Sequence, residues 1–359
     1  MKKIIFSILF SISMLFAQSE ASGLVDSVYW VDMHNGNDSN NGTSAATAFK
    51  TIHKVLATNT YLSSEVVTTT IKVMPSVVAG SPNGYYDFGD SELYLATSND
   101  FELIGVAGPD STIFDAESKN RHMSLYYGQS NKSIIQGITF RNGKSTSWPD
   151  GGSIYISNST NIQFIDCVWK NNSSSYGSDG GGAIHIREKA TPSFTSCVFD
   201  SNFMDVDDNS TSGGAISIQY PQNETDLKSA IKIKRSKFSN NYVKAKYQAT
   251  GGAIHSRRAI EIENSLFVKN GAISNNGGSS NSAFGGAIAL NINWYDNGYK
   301  IADAYIKNST FHGNYIKSLS SSTGDMVGAA IAHAQWDNAG QKTFIFNTII
   351  TGSRALVVN

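Results

Sequence analysis

Charge, cysteine and long apolar runs are all scarce in this chain, and each scarcity removes a class of protein. Only 16% of the 359 residues are Asp, Glu, Lys or Arg, and the formal net charge is −1. A charged fraction well under the usual quarter, without a basic excess, leaves no electrostatic footprint for DNA or RNA. Nucleic acid is therefore not an expected partner. Two cysteines, Cys167 and Cys197, are too few for a disulfide framework. Beyond the first residues no apolar stretch approaches the roughly 20 residues that a membrane-spanning helix needs. No P-loop, dinucleotide fingerprint, zinc-ligand spacing or serine-triad signature is visible.

What the chain does have begins at its N-terminus. Met1, Lys2 and Lys3 precede an apolar stretch from Ile4 to Phe16, with Ala17 or Ala21 as a small-residue cleavage point. That order reads as a secretory signal peptide over 1–17, with cleavage as late as 21, and implies an exported, secreted or cell-surface protein. Asn, Ser and Gly supply most of the polarity thereafter, which suits many tight turns stacked on one another.

The motif GGAI or a close variant recurs six times, opening at Gly151, Gly181, Gly213, Gly251, Gly285 and, degenerately, Gly328. Each copy is followed by an aromatic or apolar residue and, three further on, by an asparagine in all but the last: Trp169 and Asn172, Phe199 and Asn202, Phe238 and Asn241, Phe267 and Asn270, Phe311 and Asn314, then Ile350 and Ser353. Repeats of about 30 to 44 residues that carry period-two strands in place of helical faces point to a parallel β-solenoid.

Aligned on Phe140 and these later residues, the position five earlier is apolar throughout: Ile135, Phe164, Phe194, Ile233, Ile262, Ile306 and Ile345. The position two earlier reads Ile138, Cys167, Cys197, Ser236, Ser265, Ser309 and Thr348. Offsets of zero and minus two share one strand face, whereas minus five requires a bend between, at residues such as Asp166 or Asn264. Each coil thus has two short strands meeting at a corner, and GGAI opens a third, with the glycines supplying positive φ and close backbone approach. The asparagines form a ladder whose amides bond the coils above and below. Cys167 and Cys197 fall on one inward column of successive coils. In-register side chains point the same way, which favours stacked thiols over a bridge. Lys232 and Lys234 align with Glu261 and Glu263 as cross-strand ion pairs.

Upstream, residues 24–70 read as an N-terminal cap with a short helix over Lys50–Leu56, and 71–359 as the solenoid. The first irregular strands are Ile71–Met74, Leu93–Leu95 and Phe101–Ile104. The chain stops nine residues past Ile350 in the middle of a coil, which suggests a fragment of a longer protein.

The GGAI and FxxN pair resembles the repeat of chlamydial polymorphic outer membrane proteins. The segment VDMHNGNDSNNGTSAATAFKTI, from Val31 to Ile52, looks like the opening of secreted pectate-lyase-like proteins. The resemblance implies an all-β, right-handed parallel β-helix displayed outside the cell or released, with outer-membrane association through a missing C-terminal region. It does not fix an activity, because lyases, hydrolases and adhesins share the scaffold.

Lyases of this fold combine Ca²⁺ held by carboxylates with a basic residue that abstracts a proton, and no acidic column of that kind appears on adjacent coils. The polar constellation that does recur is His185 with Arg187 and His255 with Arg257, at offsets filled by Ser217 and Gln219 in the coil between. Read as outward-facing, these pairs are candidates to grip a carboxylate or sulfate, with His255 as a base. Tyr220, Trp294, Tyr295 and Trp336, with Asp296 and Asp337, follow the glycine turns in long loops and suit sugar stacking. Asp32, Asn37, Asp38 and Asn40 offer oxygen ligands to a cation, Ca²⁺ being the one cofactor considered; the same pattern forms a hydrogen-bonded turn. The expectation is a display scaffold that binds a polysaccharide, surface glycan or protein partner. The alternative is a lyase or glycoside hydrolase acting on an acidic polysaccharide.

Overall fold

The computed structural model describes residues 26–58, 68–89, 91–94, 99–176, 180–220, 226–227, 229–275, 282–290, 300–301, 303–319, 325–333 and 342–357. Among them the chain is a parallel β-helix. Every ladder between its named strands is parallel, and each of the larger sheets takes one strand from each successive coil. The expected signal peptide over 1–17, with cleavage as late as 21, lies outside the described residues.

One coil shows how the sequence makes the turn. After the first glycine pair comes Ile154–Ile156, then Gln163–Ile165, Val168–Lys170 and Ser173–Ser174. The bends fall where the alignment put them. The residue three before each core aromatic has positive φ, at Gly137, Asp166, Ser196, Arg235, Asn264 and Asn308, and so does the residue two after it, at Asn142, Asn171, Ser201, Asn240, Lys269 and Gly313. Those two left-handed residues bracket the aromatic strand and turn the chain twice per coil.

Stacking then fills the interior. Trp169, Phe199, Phe238, Phe267 and Phe311 lie face to face with centroids 4.6 to 4.8 Å apart, and Phe164 stacks on Phe194. The asparagine ladder is realised in full from Asn172 to Asn314. Asn202 donates Nδ2–H to Asn241 Oδ1 at 3.0 Å and to Trp169 O at 3.0 Å, and its own Oδ1 accepts from Asn172 N and Nδ2. No amide in the column is left unsatisfied, as a fully buried position requires. The cysteines are free thiols, buried on the expected column. Burial raises both, Cys197 to about 12. The glycine pairs do two different jobs. Gly213, Gly251, Gly285 and Gly328 adopt positive φ, whereas a Cβ on Gly214 would come within 2.1 Å of Gly252 O in the next coil.

Two features go beyond the three-strand coil. A strand of the regular sheet order precedes the expected first one: Ser27–Val31 pairs with Thr68–Val73, and the helix observed at Ile52–Leu56 adds Ile52 and Val55 to the core. The fourth strand, two residues long at Lys144–Ser145 and Ser173–Ser174, lengthens to four from Phe203–Val206 onward, and from Thr211–Ser212 to Met326–Val327 a fifth strand precedes the glycines. Met204, Val206, Val243, Ala245, Ala249, Ala272, Ala283 and Ile316 form a second core between these added strands. Lys232 and Lys234 register with Glu261 and Glu263 as expected, and the Lys234–Glu263 pair closes at 3.3 Å. The core column ends partly uncovered: Ile345 and Ile350 are exposed.

Candidate functional site

The strand that follows each glycine pair belongs to an eight-stranded sheet, and its middle residue faces away from the main core. Down the sheet this outward column reads Tyr94, Ser124, Tyr155, His185, Ser217, His255, Ala289 and Ala332. The register predicted for the two His-x-Arg pairs is therefore correct. Their accessibility is not: His185 and His255 are 3% and 1% exposed. The strands before the glycines fold over this face, with Ser212 Oγ 3.3 Å from Ser217 Oγ and Phe284 packed on Ala289 and Ala332. Alternation gives the direction of a side chain but not what lies over it. Burial, reinforced by Arg187, Arg121 and Arg257, lowers His185 to about 3, so the ring is neutral and sealed. Neither imidazole is placed to serve as a base toward an external substrate. Arg257 Nη1 donates to Gln219 Oε1 at 2.8 Å, and Gln219 Nε2 to Ser217 Oγ.

Further up the same face no such covering strand occurs among the described residues, and an aromatic cleft of about 660 Å³ opens beside Arg187. Tyr127 stacks on Tyr126 at 4.9 Å, Tyr94 meets both edge-on at 6.0 and 5.3 Å, and Tyr155 links Tyr126 to Trp148 at 6.3 Å from each. The row ends at Arg187, whose Cζ is 5.9 Å from the Trp148 ring. Trp148, Tyr94 and Tyr127 are 61%, 48% and 39% exposed, so three aromatic side chains meet solvent. The register explains the assembly. Tyr94 and Tyr155 share the outward column, and Tyr126 shares the neighbouring one with Ser157 and Arg187.

Polar groups fix the cleft. Arg121 Nε lies 3.1 Å from Glu92 Oε2, and its Nη1 donates to Pro149 O at 2.6 Å and Asp150 O at 3.1 Å. Ser124 Oγ donates to the same glutamate. Ser145 Oγ donates to Ser147 O, and Ser174 Oγ to Asp150 Oδ1. These bonds hold the loop that presents Trp148. Buried His122 behind the strand donates to Phe114 O and meets Ser153 Oγ at 3.0 Å; burial lowers it to about 4 against the hydrogen bond that raises it. Burial likewise raises the Tyr126 hydroxyl, with Tyr127 adding to it.

Of the residues singled out from sequence, Arg187 alone lines this cleft. Tyr220 is half-buried just beyond Ile216–Ile218. Trp294, Tyr295, Asp296, Trp336 and Asp337 lie outside the described residues. Near the N-terminus the cation candidates are engaged locally. Asp32 accepts from His34 N, Asn35 N and Asn35 Nδ2, and Asp38 from Lys50 N, Thr51 N and Thr51 Oγ1. Asn37 Oδ1 accepts from Ser39 N, and Asn40 Nδ2 donates to Ala48 O. Burial pushes the Asp32 carboxyl up, but those hydrogen bonds outweigh it and leave it lowered. This is the hydrogen-bonded turn, and no group of three or more His, Cys, Asp or Glu among the described residues is arranged to hold a metal ion.

Comparison with known proteins agrees on the scaffold. No protein-family model matches the chain, and no curated protein matches it. Among solved structures a rhamnogalacturonan lyase superposes with a TM-score of 0.50 at 14% sequence identity, covering 84% of this chain and 73% of its own. That likeness establishes the parallel β-helix. These comparisons do not show the resemblance to polymorphic outer membrane proteins, which rests on the sequence motif alone.

Proposed function

We propose that this protein is an exported β-helix that binds polysaccharide along its open outer face, with the Tyr94–Tyr126–Tyr127–Trp148–Tyr155 row as the platform. The observation that carries the reading is the solvent exposure of Trp148, Tyr94 and Tyr127 within a row held rigid by Arg121, Glu92 and Ser145. Rings that served only to pin a loop would be buried; Trp148, Tyr94 and Tyr127 are not. The C–H face of a pyranose packs on such a ring, and Arg187, Glu188 and Glu92 at the margins offer partners to hydroxyl or carboxylate groups. Exposed aromatic surface of this extent on a rigid scaffold marks an interaction site.

The name of the structural neighbour favours a second reading, a polysaccharide lyase. Such an enzyme needs a base within reach of substrate. The imidazoles near the cleft, His122 and His185, are sealed, and the Tyr126 hydroxyl is shifted away from ready ionisation. Arg187 is a basic residue of the kind such lyases use and it lines the cleft, but no group of three or more carboxylate, imidazole or thiol side chains among the described residues is arranged to hold the accompanying cation, so binding without turnover is the better-supported outcome.

The test is a panel of neutral and acidic polysaccharides, followed for binding by calorimetry and for unsaturated products by absorbance. We expect binding without product. Trp148→Ala and Tyr126→Ala should each weaken it by about tenfold, the effect of removing an aromatic anchor worth one to two kcal/mol. Binding that both variants leave unchanged would sink the assignment to this cleft, and product formation would restore the lyase.

A further inference from the structure

A second concavity lies on the seven-stranded sheet that follows the asparagine ladder. It has about 560 Å³ and is lined by Lys269, His312, Lys317 and Arg354 around the ring of Tyr315. Three coils contribute in register: Gly271 pairs with Tyr315 and Arg354, and Ile273 with Lys317 and Leu356. Glycines hollow it out. A Cβ on Gly271 would fall 2.1 Å from Tyr315 Cζ, so the ring lies flat in the space a side chain would fill, and the His312 ring rests over Gly352.

Two independent features separate this notch from an ordinary solvated face. The first is charge balance. Lys244 registers with Ile273 on the same sheet and is neutralised by Asp205 at 3.0 Å, and Lys234 is neutralised by Glu263. The notch has no carboxylate in its lining, and among the described residues Lys269, Lys317 and Arg354 have no ion pair. The second is Lys269 itself. Its left-handed position is filled in other coils by Asn142, Asn171, Ser201, Asn240, Gly313 and Gly352, residues that tolerate that backbone. A lysine gains nothing there from local hydrogen bonding, and an unfavourable residue held at such a place points to a use.

We infer that this notch is a binding site for an anionic polysaccharide, one carrying carboxylate or sulfate groups. A bare ion needs no apolar wall, whereas Ile273, Tyr315 and Leu356 supply one for the body of a sugar. Cations drawn from three successive coils, the coils themselves about 4.8 Å apart, suit a chain of repeated charges better than a single ion. The site does not depend on the aromatic cleft.

The full-length protein is titrated at low salt with dextran sulfate, polygalacturonate, neutral dextran, inorganic sulfate and a single-stranded oligonucleotide. The comparison protein carries Lys269→Asn, Lys317→Gln and Arg354→Gln; the first change installs the residue that other coils use, so folding is expected to hold and is checked by melting temperature. We expect at least one of the two charged glycans to bind and neutral dextran not to bind. We further expect the triple variant to weaken charged-glycan binding tenfold or more at unchanged melting temperature, and Lys170→Gln, at an exposed lysine of an earlier coil outside both concavities, to leave it intact. Should the triple variant unfold, Arg354→Gln alone, at an exposed position, must still weaken binding severalfold. Equal binding by the variant, failure of both charged glycans to bind, competition by inorganic sulfate at equal ionic strength, or preference for the oligonucleotide would each overturn the assignment.

Discussion

The outer face of one sheet behaves differently in its two halves. From Ser217 to Ala332 the outward column is small or buried and is covered by the strands that precede each glycine pair; in the earlier coils Tyr94, Ser124 and Tyr155 line an aromatic cleft, with Tyr94 exposed. The cause lies five residues past each core aromatic. Met204, Val243, Ala272 and Ile316 sit there in the later coils and nucleate the second core that holds the covering strands in place. The earlier coils have Ser145 and Ser174 at that position, and their hydroxyls instead bond the loop bearing Trp148. A switch from hydroxyl to apolar side chain at one repeat position thus decides whether a coil is sealed or open. It changes nothing in the main core, where both kinds of coil share the aromatic stack.

The largest expected effect comes from putting a residue of the open half into the covered half. Ala289 occupies the same column as Tyr94 but lies against Phe284 and Ala332. Ala289→Tyr has no room and should destabilise by about 3 kcal/mol or more, whereas Tyr94→Ala removes a half-exposed ring and should change stability by about 0.5 kcal/mol or less. Urea denaturation of the two variants decides the point. Similar losses in both would mean that the cover is not packed as described.

Much of this was legible in the sequence, and the parts that were not have a common reason. Glycines, aromatics and asparagines repeat in fixed register, so Asn241 and Gly252 announced a ladder and a close approach, and Asp166 and Asn264 announced the bends. The second core was also written, in Met204, Val243 and Ile316, but Ser145 and Ser174 break the column and hide it. The cleft was invisible because the coil of Tyr94 and that of Met123–Leu125 lack the glycine pair that sets the register. Only pairing, Tyr94 with Ser124 and Ser124 with Tyr155, shows that these residues share a face. His185 and His255 were misjudged for the converse reason: their own strand gave their direction, and a non-local strand set their burial.

Acid should separate the two halves next. His122 and His185 are held neutral in the folded chain, at about 4 and about 3 against an ordinary 6.5. Between those values the unfolded chain binds protons that the folded chain excludes. Stability is therefore intact above about pH 6.5 and falls as pH drops toward 4. Each tenfold loss of proton affinity on folding corresponds to roughly 1.4 kcal/mol, so His122 accounts for a loss on the order of 2 to 3 kcal/mol across that window. Both imidazoles belong to the early coils or their border, so amides of Met123–Leu125 and Ile154–Ile156 should lose hydrogen-exchange protection in acid before those of Lys237–Ser239 and Leu266–Val268. His122→Gln with His185→Leu should flatten the acid limb, whatever it does at neutral pH. An acid limb of unchanged slope would show that other groups set it.

The smallest effect is a control on the whole comparison. Lys234 and Glu263 pair across adjacent coils of the ten-stranded sheet, away from both the cover and the cleft, at 44% and 38% side-chain exposure. Water and salt screen a pair so exposed, so Lys234→Glu should lower stability by only about 0.2 to 1 kcal/mol, with the loss shrinking as salt rises. Combining it with Glu263→Lys should recover most of that loss, because the register of Lys234 with Glu263 puts opposite charges together in either order. A recovery that fails would challenge the register of these coils. A loss as large as that from Ala289→Tyr would show that surface charge, and not the covering strands, distinguishes the later coils from the open ones.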